Sequence, residues 1–179
     1  MRMSTLLLAC MAWCTVAMSP GPALAQYGAT DGEWRSYAGD PGSTKYSPLD
    51  QIDATNFEEL QIAWRWQSAD GALDLDALRE QRSRVSIRGL QVTPLMVDGV
   101  LYTTAGTRRA AVAIDAETGE MLWVHRLNEG ERGAGAPRRL SGRGLTYWDD
   151  GADGVIFYVT PGYRLIALNA LTGHRITSF

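Results

Sequence analysis

Short apolar runs separated by turn residues set the rhythm of this chain. Ala111-Val-Ala-Ile114 meets a turn containing Asp115, Thr118 and Gly119, and a second apolar run then ends on Trp123. Two short apolar strands around a Gly-containing loop predict a β-hairpin. The pattern returns about 54 residues later as Leu165-Ile-Ala-Leu-Asn-Ala-Leu-Thr-Gly173, where Ala167, Ala170, Thr172 and Gly173 answer Ala113, Ala116, Thr118 and Gly119. The preceding strands correspond too: Gly99-Val-Leu-Tyr102 is matched by Gly154-Val-Ile-Phe157. A period of about 50 residues carrying four short strands predicts the blade of a β-propeller.

The remaining pattern fills in around this repeat. Leu60, Ile62, Trp64 and Trp66 alternate with polar residues, predicting a strand with one apolar face. Gln91–Val97 and Gly99–Thr104 read as strands about Asp98-Gly99, and Ser141–Trp148 as another. Asp149 to Gly154 reads as a hairpin turn, because it lacks the alternating ligands and distal Glu of a calcium loop. Asp53 to Leu60 suits a short helical turn capped by Thr55 or Asn56. Residues 70–88 place acids first and bases last, the order a helix dipole favours, and predict a surface helix inserted between strands. Trp34 to Leu49 is dense in turn residues and aromatics, predicting irregular backbone pinned by ring packing. Residues 128–144, rich in Gly, Arg and Pro, exceed a minimal hairpin loop, and loops of that length are usually functional or disordered.

Composition narrows the function classes. With 179 residues, 19 glycines and a net charge of −3, the chain suits a turn-rich all-β protein and carries no electrostatic footprint for nucleic acid. Arg2, the apolar stretch Leu6–Val16 and the small-x-small site Ala23-Leu-Ala25 predict a secretory signal peptide over residues 1–25, and hence a periplasmic protein. Both cysteines, Cys10 and Cys14, fall inside it, so residues 26–179 offer no thiol for a disulfide, a metal site or a nucleophile. The only histidines, His125 and His174, make no transition-metal spacing and read as surface strand positions.

The repeat Ala113-x-Asp115-Ala116-x-Thr118-Gly119-x-x-x-Trp123 resembles the tryptophan-docking motif of the eight-bladed pyrroloquinoline quinone (PQQ) dehydrogenases. Trp34-x-x-Tyr37-x-Gly39-Asp40 with Tyr46-Ser-Pro-Leu49 resembles that family's N-terminal signature, most like the sugar and polyol branch typified by glucose dehydrogenase. Arg143-Gly-Leu-Thr-Tyr-Trp148 resembles the motif lining the quinone pocket.

The resemblance implies an all-β fold, a partial eight-bladed propeller of about three four-stranded antiparallel blades. It implies that residues 26–179 are the N-terminal part of a longer quinoprotein, truncated at the C-terminus and inactive alone, which needs the remaining blades. Cofactor binding is implied for Arg143, whose forked, permanently charged guanidinium suits a carboxylate, and for Gln91, at a position where the family has a polar residue. The alternatives are a solvated loop cation and an ordinary strand-end amide. A Ca²⁺ or Mg²⁺ ion and an aspartate base are implied for later blades, so no metal ligand and no catalytic residue is assigned here. The implied substrate is a sugar, polyol or alcohol, and the electron acceptor a quinone or cytochrome. Some alcohol-oxidising members have adjacent cysteines before the Arg-Gly motif; Ala136-Pro137-Arg138 has none. Trp64, Trp66, Trp123 and Trp148 read as inter-blade packing, with Trp123 wedged between blades and its indole N–H bonded. The competing reading is a non-enzymatic periplasmic propeller of the outer-membrane assembly type.

Overall fold

The structure, a computed structural model, describes residues 29–68, 92–106, 109–137 and 144–179. Four strands form the first sheet in chain order: β1 (Leu95–Val97), β2 (Val100–Ala105), β3 (Ala110–Asp115) and β4 (Met121–His125), each antiparallel to the next. A second sheet holds β5 (Thr146–Trp148), β6 (Val155–Val159) and β7 (Leu165–Asn169) in the same arrangement. A bridge from Leu168 to Arg175 and a bond from Ile176 N–H to Ala167 O begin a fourth position beside β7. It falls where Ile114 meets Met121 in the first sheet.

The turns explain why these residues make hairpins. Val97 pairs with Val100 across Asp98 and Gly99, whose φ angles of 49° and 78° are both positive, as a two-residue turn that follows strand twist requires. In the β3–β4 turn, Asp115 Oδ1 accepts from Thr118 N–H at 2.7 Å and from the Thr118 hydroxyl at 2.8 Å. The second copy replaces Asp115 by Asn169, whose Oδ1 accepts the same pair from Thr172 at 2.8 and 2.9 Å. An amide oxygen does the work of the carboxylate, so the motif survives the change of charge.

The core lies between the sheets. Ala111 and Ala113 of β3, both fully buried, face a cluster containing Ile156, Tyr158, Ile166 and Leu168 of the second sheet. Val112 and Ile114 alternate to the other face, against Trp64 and Trp66. A strand buried on both faces reads as a continuous apolar run, which is what β3 shows. Burial falls from Leu95 and Val97 on β1 to Met121, Leu122 and Val124 on β4, which are about half exposed. That gradient makes β1 the inner strand of the blade and β4 the outer one.

The tryptophans join successive repeats. Trp64 Nε1 donates to Ala116 O at 3.0 Å, and Trp123 Nε1 donates to Ala170 O at 2.8 Å. Each ring lies flat on a glycine: a Cβ on Gly119 would sit 2.6 Å from the Trp64 ring, and one on Gly173 would sit 2.6 Å from the Trp123 ring. The wedging expected of Trp123 is therefore realised.

Several expectations need correction. Leu60–Trp66 is extended but pairs with no strand among the described residues. Trp64 and Trp66 pack as the alternation implied, while Leu60 and Ile62 are exposed. Over Asp53–Leu60 the helical turn is a single 3-10 turn, Phe57–Glu59. Asn56 makes no capping bond there and instead binds Gln51 O and the Asp53 N–H. Trp148 is 56% exposed rather than packed between blades. Strand alternation is the cause: Tyr147 turns inward to stack on Tyr102, so its neighbour must turn out. His125 is half-buried rather than a plain surface position; its Nδ1 meets Gly173 O at 3.1 Å and its edge meets Tyr158. Trp34 pairs its backbone with Met96 on β1 and covers Gly39, whereas Tyr37 and Tyr46 are exposed. The turn at Asp149–Gly154 is as read, with Asp150 Oδ1 accepting from Ala152 and Gly154 N–H. Residues 70–88 lie outside the described residues.

Candidate functional site at the arginine end of the sheets

Antiparallel strands sort the loops into two sets. One end carries the β1–β2, β3–β4 and β5–β6 turns, with Asp98, Asp115, Glu117, Glu120, Asp149, Asp150 and Asp153. There Asp115 and Asp150 are held below the usual carboxylate range by N–H donors, from Thr118 and from Ala152 respectively. Arg35 is drawn to this acidic end, 3.0 Å from Glu33 and 3.1 Å from Asp98.

The other end carries the approach to β1, the β2–β3 turn, the β4–β5 crossover and the β6–β7 turn. Arg109, Arg126, Arg132 and Arg164 lie there, against Glu129 and Glu131. Arg109 sits at φ 49° and donates from Nη1 to Val159 O at 3.1 Å, tying the first sheet to the second. Within the crossover, α1 (Gly130–Ala134) positions Arg132, whose Nε donates to Gly162 O. The Tyr158 phenol is pushed up to about 12 by burial and by the nearby Glu129 carboxylate, so it remains a neutral hydroxyl.

Glu129 is the functional candidate that sequence reading missed. Its side chain is 2% exposed, accepts from the Thr160 hydroxyl at 2.7 Å and from Gly162 N–H at 2.6 Å, and lies 3.7 Å from Arg164 Nε. These partners are about 31 to 35 residues away in sequence, and no spacing rule connects them.

Gln91 and Arg143 lie outside the described residues. The residues that follow them, Val92 and Gly144, approach each other: a Cβ on Gly144 would lie 3.9 Å from Val92 Cγ2. Both lead into the inner strands at the arginine end. A cavity of about 390 Å³ belongs to the N-terminal segment and is lined by Ala29–Asp31, Glu33, Arg35, Ser36 and Gly39–Pro41. Among the described residues, no group of three or more His, Cys, Asp or Glu side chains is gathered for a metal ion.

Residues 34–179 match the PQQ family described as the glucose/ethanol/alcohol dehydrogenase β-propeller domain. The chain belongs to the PQQ-dependent dehydrogenases. Its repeats are the antiparallel blades of that propeller. It is 34% identical over 183 residues to quinohemoprotein alcohol dehydrogenase ADH IIB of Pseudomonas putida, covering 98% of this chain and 23% of that protein. It is 34% identical over 149 residues to 1-butanol dehydrogenase (cytochrome c) of Thauera butanivorans, covering 83% and 18%. Quinohemoprotein alcohol dehydrogenase ADHIIG of Pseudomonas putida superposes with a TM-score of 0.62 at 32% identity, covering 80% of this chain and 18% of that one. A europium-containing methanol dehydrogenase shares the fold, with a TM-score of 0.60 at 23% identity, covering 80% of this chain and 22% of that one. The chain thus spans about a fifth of the length of the curated relatives it matches. At the arginine end the guanidiniums of Arg109, Arg132 and Arg164 are engaged by Val159 O, Gly162 O and Glu129; guanidinium groups as a class suit a polycarboxylate anion such as this family's cofactor.

Proposed function

We propose that this chain is the N-terminal portion of an exported PQQ-dependent dehydrogenase that oxidises a hydroxyl-bearing substrate, an alcohol in the first instance. The observation that carries the reading is the separation of charge between the two ends of the sheets. Guanidiniums gather where both inner strands are entered, one after Gln91 and the other after Arg143. Bound PQQ supplies the ortho-quinone that takes up a hydride from the carbinol carbon. The chain's own part would be to hold the carboxylates of that cofactor, with Arg143 and Gln91 as the residues that would bind them, while Arg109 and Arg132 brace the loops at that end through Val159 O and Gly162 O. Alcohols are named for several relatives, while polyols and sugars follow from the likeness at Trp34–Leu49. A cytochrome or quinone acceptor, a Ca²⁺ or Mg²⁺ ion carried by further blades, and export by residues 1–25 complete the proposal.

The test uses the native polypeptide that carries this sequence, purified from its host periplasm and stripped of cofactor. PQQ with Ca²⁺ should restore dye-linked oxidation of ethanol, 1-butanol, glycerol or glucose, and Arg143→Ala should weaken PQQ binding. A folded protein that binds no PQQ would favour the non-enzymatic scaffold.

A further inference from the structure

We propose that residues 29–46 form a clasp that holds the inner edges of two successive blades together. Its working side chain is Arg35, and nothing in this joint depends on a bound cofactor.

β1 is the inner strand and the end of its sheet, so one of its edges would carry unpaired backbone groups. Trp34 covers that edge. Its N–H donates to Met96 O at 2.8 Å, and its carbonyl accepts from Met96 N–H at 3.1 Å. The segment is shaped by its own bonds. Ala29 N–H donates to Tyr46 O at 2.8 Å, Lys45 N–H donates to Ala38 O at 2.9 Å, and the buried Asp40 carboxylate accepts from Thr44 N–H at 3.1 Å.

Glu33 and Arg35 flank Trp34, so their side chains leave the same face of the extended segment. Glu33 Oε1 accepts from Asp98 N–H at 2.9 Å, and Oε2 accepts from Arg35 Nε at 3.0 Å. Arg35 Nη2 donates to Asp98 Oδ1 at 3.1 Å, in the β1–β2 turn of the first blade. Its Nη1 lies 3.8 Å from Asp149 Oδ2, in the β5–β6 turn of the second blade, and its guanidinium sits 5.6 Å above the Tyr147 ring. Asp98 and Asp149 carry like charges on turns of different blades, and the guanidinium between them converts that repulsion into a shared attraction. Each exposed pair alone contributes little. The backbone pairing of Trp34 with Met96 holds the guanidinium in place, so the pairs act together. The Trp123 seat joins the same two blades at the outer strand. A second tie at the inner strands removes the rotation that a single joint allows.

The test follows amide hydrogen exchange by mass spectrometry in the host polypeptide that carries this sequence, comparing wild type, Arg35→Met, Asp149→Asn and the double variant. Arg35→Met keeps an unbranched side chain without the charge, and Asp149→Asn keeps the acceptor for Gly151 N–H. Arg35→Met should speed exchange about threefold or more both in residues 33–36 and in the β5–β6 hairpin. Asp149→Asn, on the second blade, should loosen residues 33–36 against the first. The double variant should exchange no faster than Arg35→Met alone. Sodium chloride at about 1 M should speed exchange in wild type and leave Arg35→Met unchanged. If Arg35→Met does not fold, Asp149→Asn carries the test alone. Faster exchange confined to residues 29–46, with the β5–β6 hairpin as protected as in wild type, overturns the clasp. An Asp149→Asn variant with no effect on residues 33–36 overturns it equally.

Discussion

Replacing Gly173 by alanine tests whether the tryptophan seat, rather than glycine's backbone freedom alone, holds successive repeats together. Two costs arise. Gly173 has φ +69°, where an alanine side chain costs about 1–2 kcal/mol. Its Cβ would also lie 2.6 Å from Trp123 Cδ2 and Cε3, and forcing that ring off its seat adds about 1–3 kcal/mol of overpacking. Gly99 separates the two, because it has φ +78° with no heavy atom within 4 Å of an added Cβ. Gly99→Ala should therefore pay the strain only. Urea denaturation of the purified protein at constant m-value reads both. Gly173→Ala should lie about 1–3 kcal/mol below Gly99→Ala. Trp123→Phe should cost about 1 kcal/mol through the indole bond, since Ala170 O keeps the Tyr102 hydroxyl at 3.4 Å. Equal losses for the two alanine variants would refute the docking argument.

Three further outcomes follow from the same structure. Burial lowers the His125 pKa, with Arg175 and His174 adding to the effect and the Gly173 carbonyl opposing it. The unfolded chain therefore binds the proton more readily. Stability should be complete above about pH 6.5 and decline as pH falls below it, while His125→Gln flattens that decline; parallel pH profiles would refute this. The buried Thr103 hydroxyl has no partner among the described residues. Thr103→Val should raise stability by about 1 kcal/mol in thermal unfolding, and a loss would show that the hydroxyl is in use. Hydrogen bonds from Thr118 hold the Asp115 pKa down, so its contribution is present at neutral pH and lost as pH falls through that lowered value. Asp115→Asn keeps the acceptor, as Asn169 does, and should remove that acid dependence; an unchanged acid profile would speak against it.

The repeat was legible because its determinants are local. A Thr and a Gly at fixed distance from an Asp or Asn define the turn, and the same acceptor geometry appears in both copies. Trp123 was placed correctly because a large ring at the end of one repeat has a glycine seat in the next. Trp148 was misplaced because composition says nothing about which of two adjacent aromatics, Tyr147 or Trp148, faces inward. Leu60–Trp66 gave the right face but no backbone partner among the described residues, since periodicity reports side chains and not pairing. The charge separation between the ends needs strand order, which turns scattered arginines into a group. Glu129 was invisible for a related reason: its partners are distant in sequence and two of its bonds involve a turn with no motif.

The tryptophan seats also give the array a direction. Each repeat ends in a plug and carries, in the β-turn just before that plug, a socket for the plug of the repeat before it; Trp64 fills the Gly119 socket and Trp123 the Gly173 socket. Contacts of this kind are head-to-tail, so they define a vector along the chain and not a symmetric pair. The unit that recombination or engineering can exchange is consequently not a sheet. It is the span from a plug to the socket it fills, Trp64 to Gly119 or Trp123 to Gly173, and splicing that respects this boundary preserves every joint. A splice through it leaves one ring without a floor and one floor without a ring.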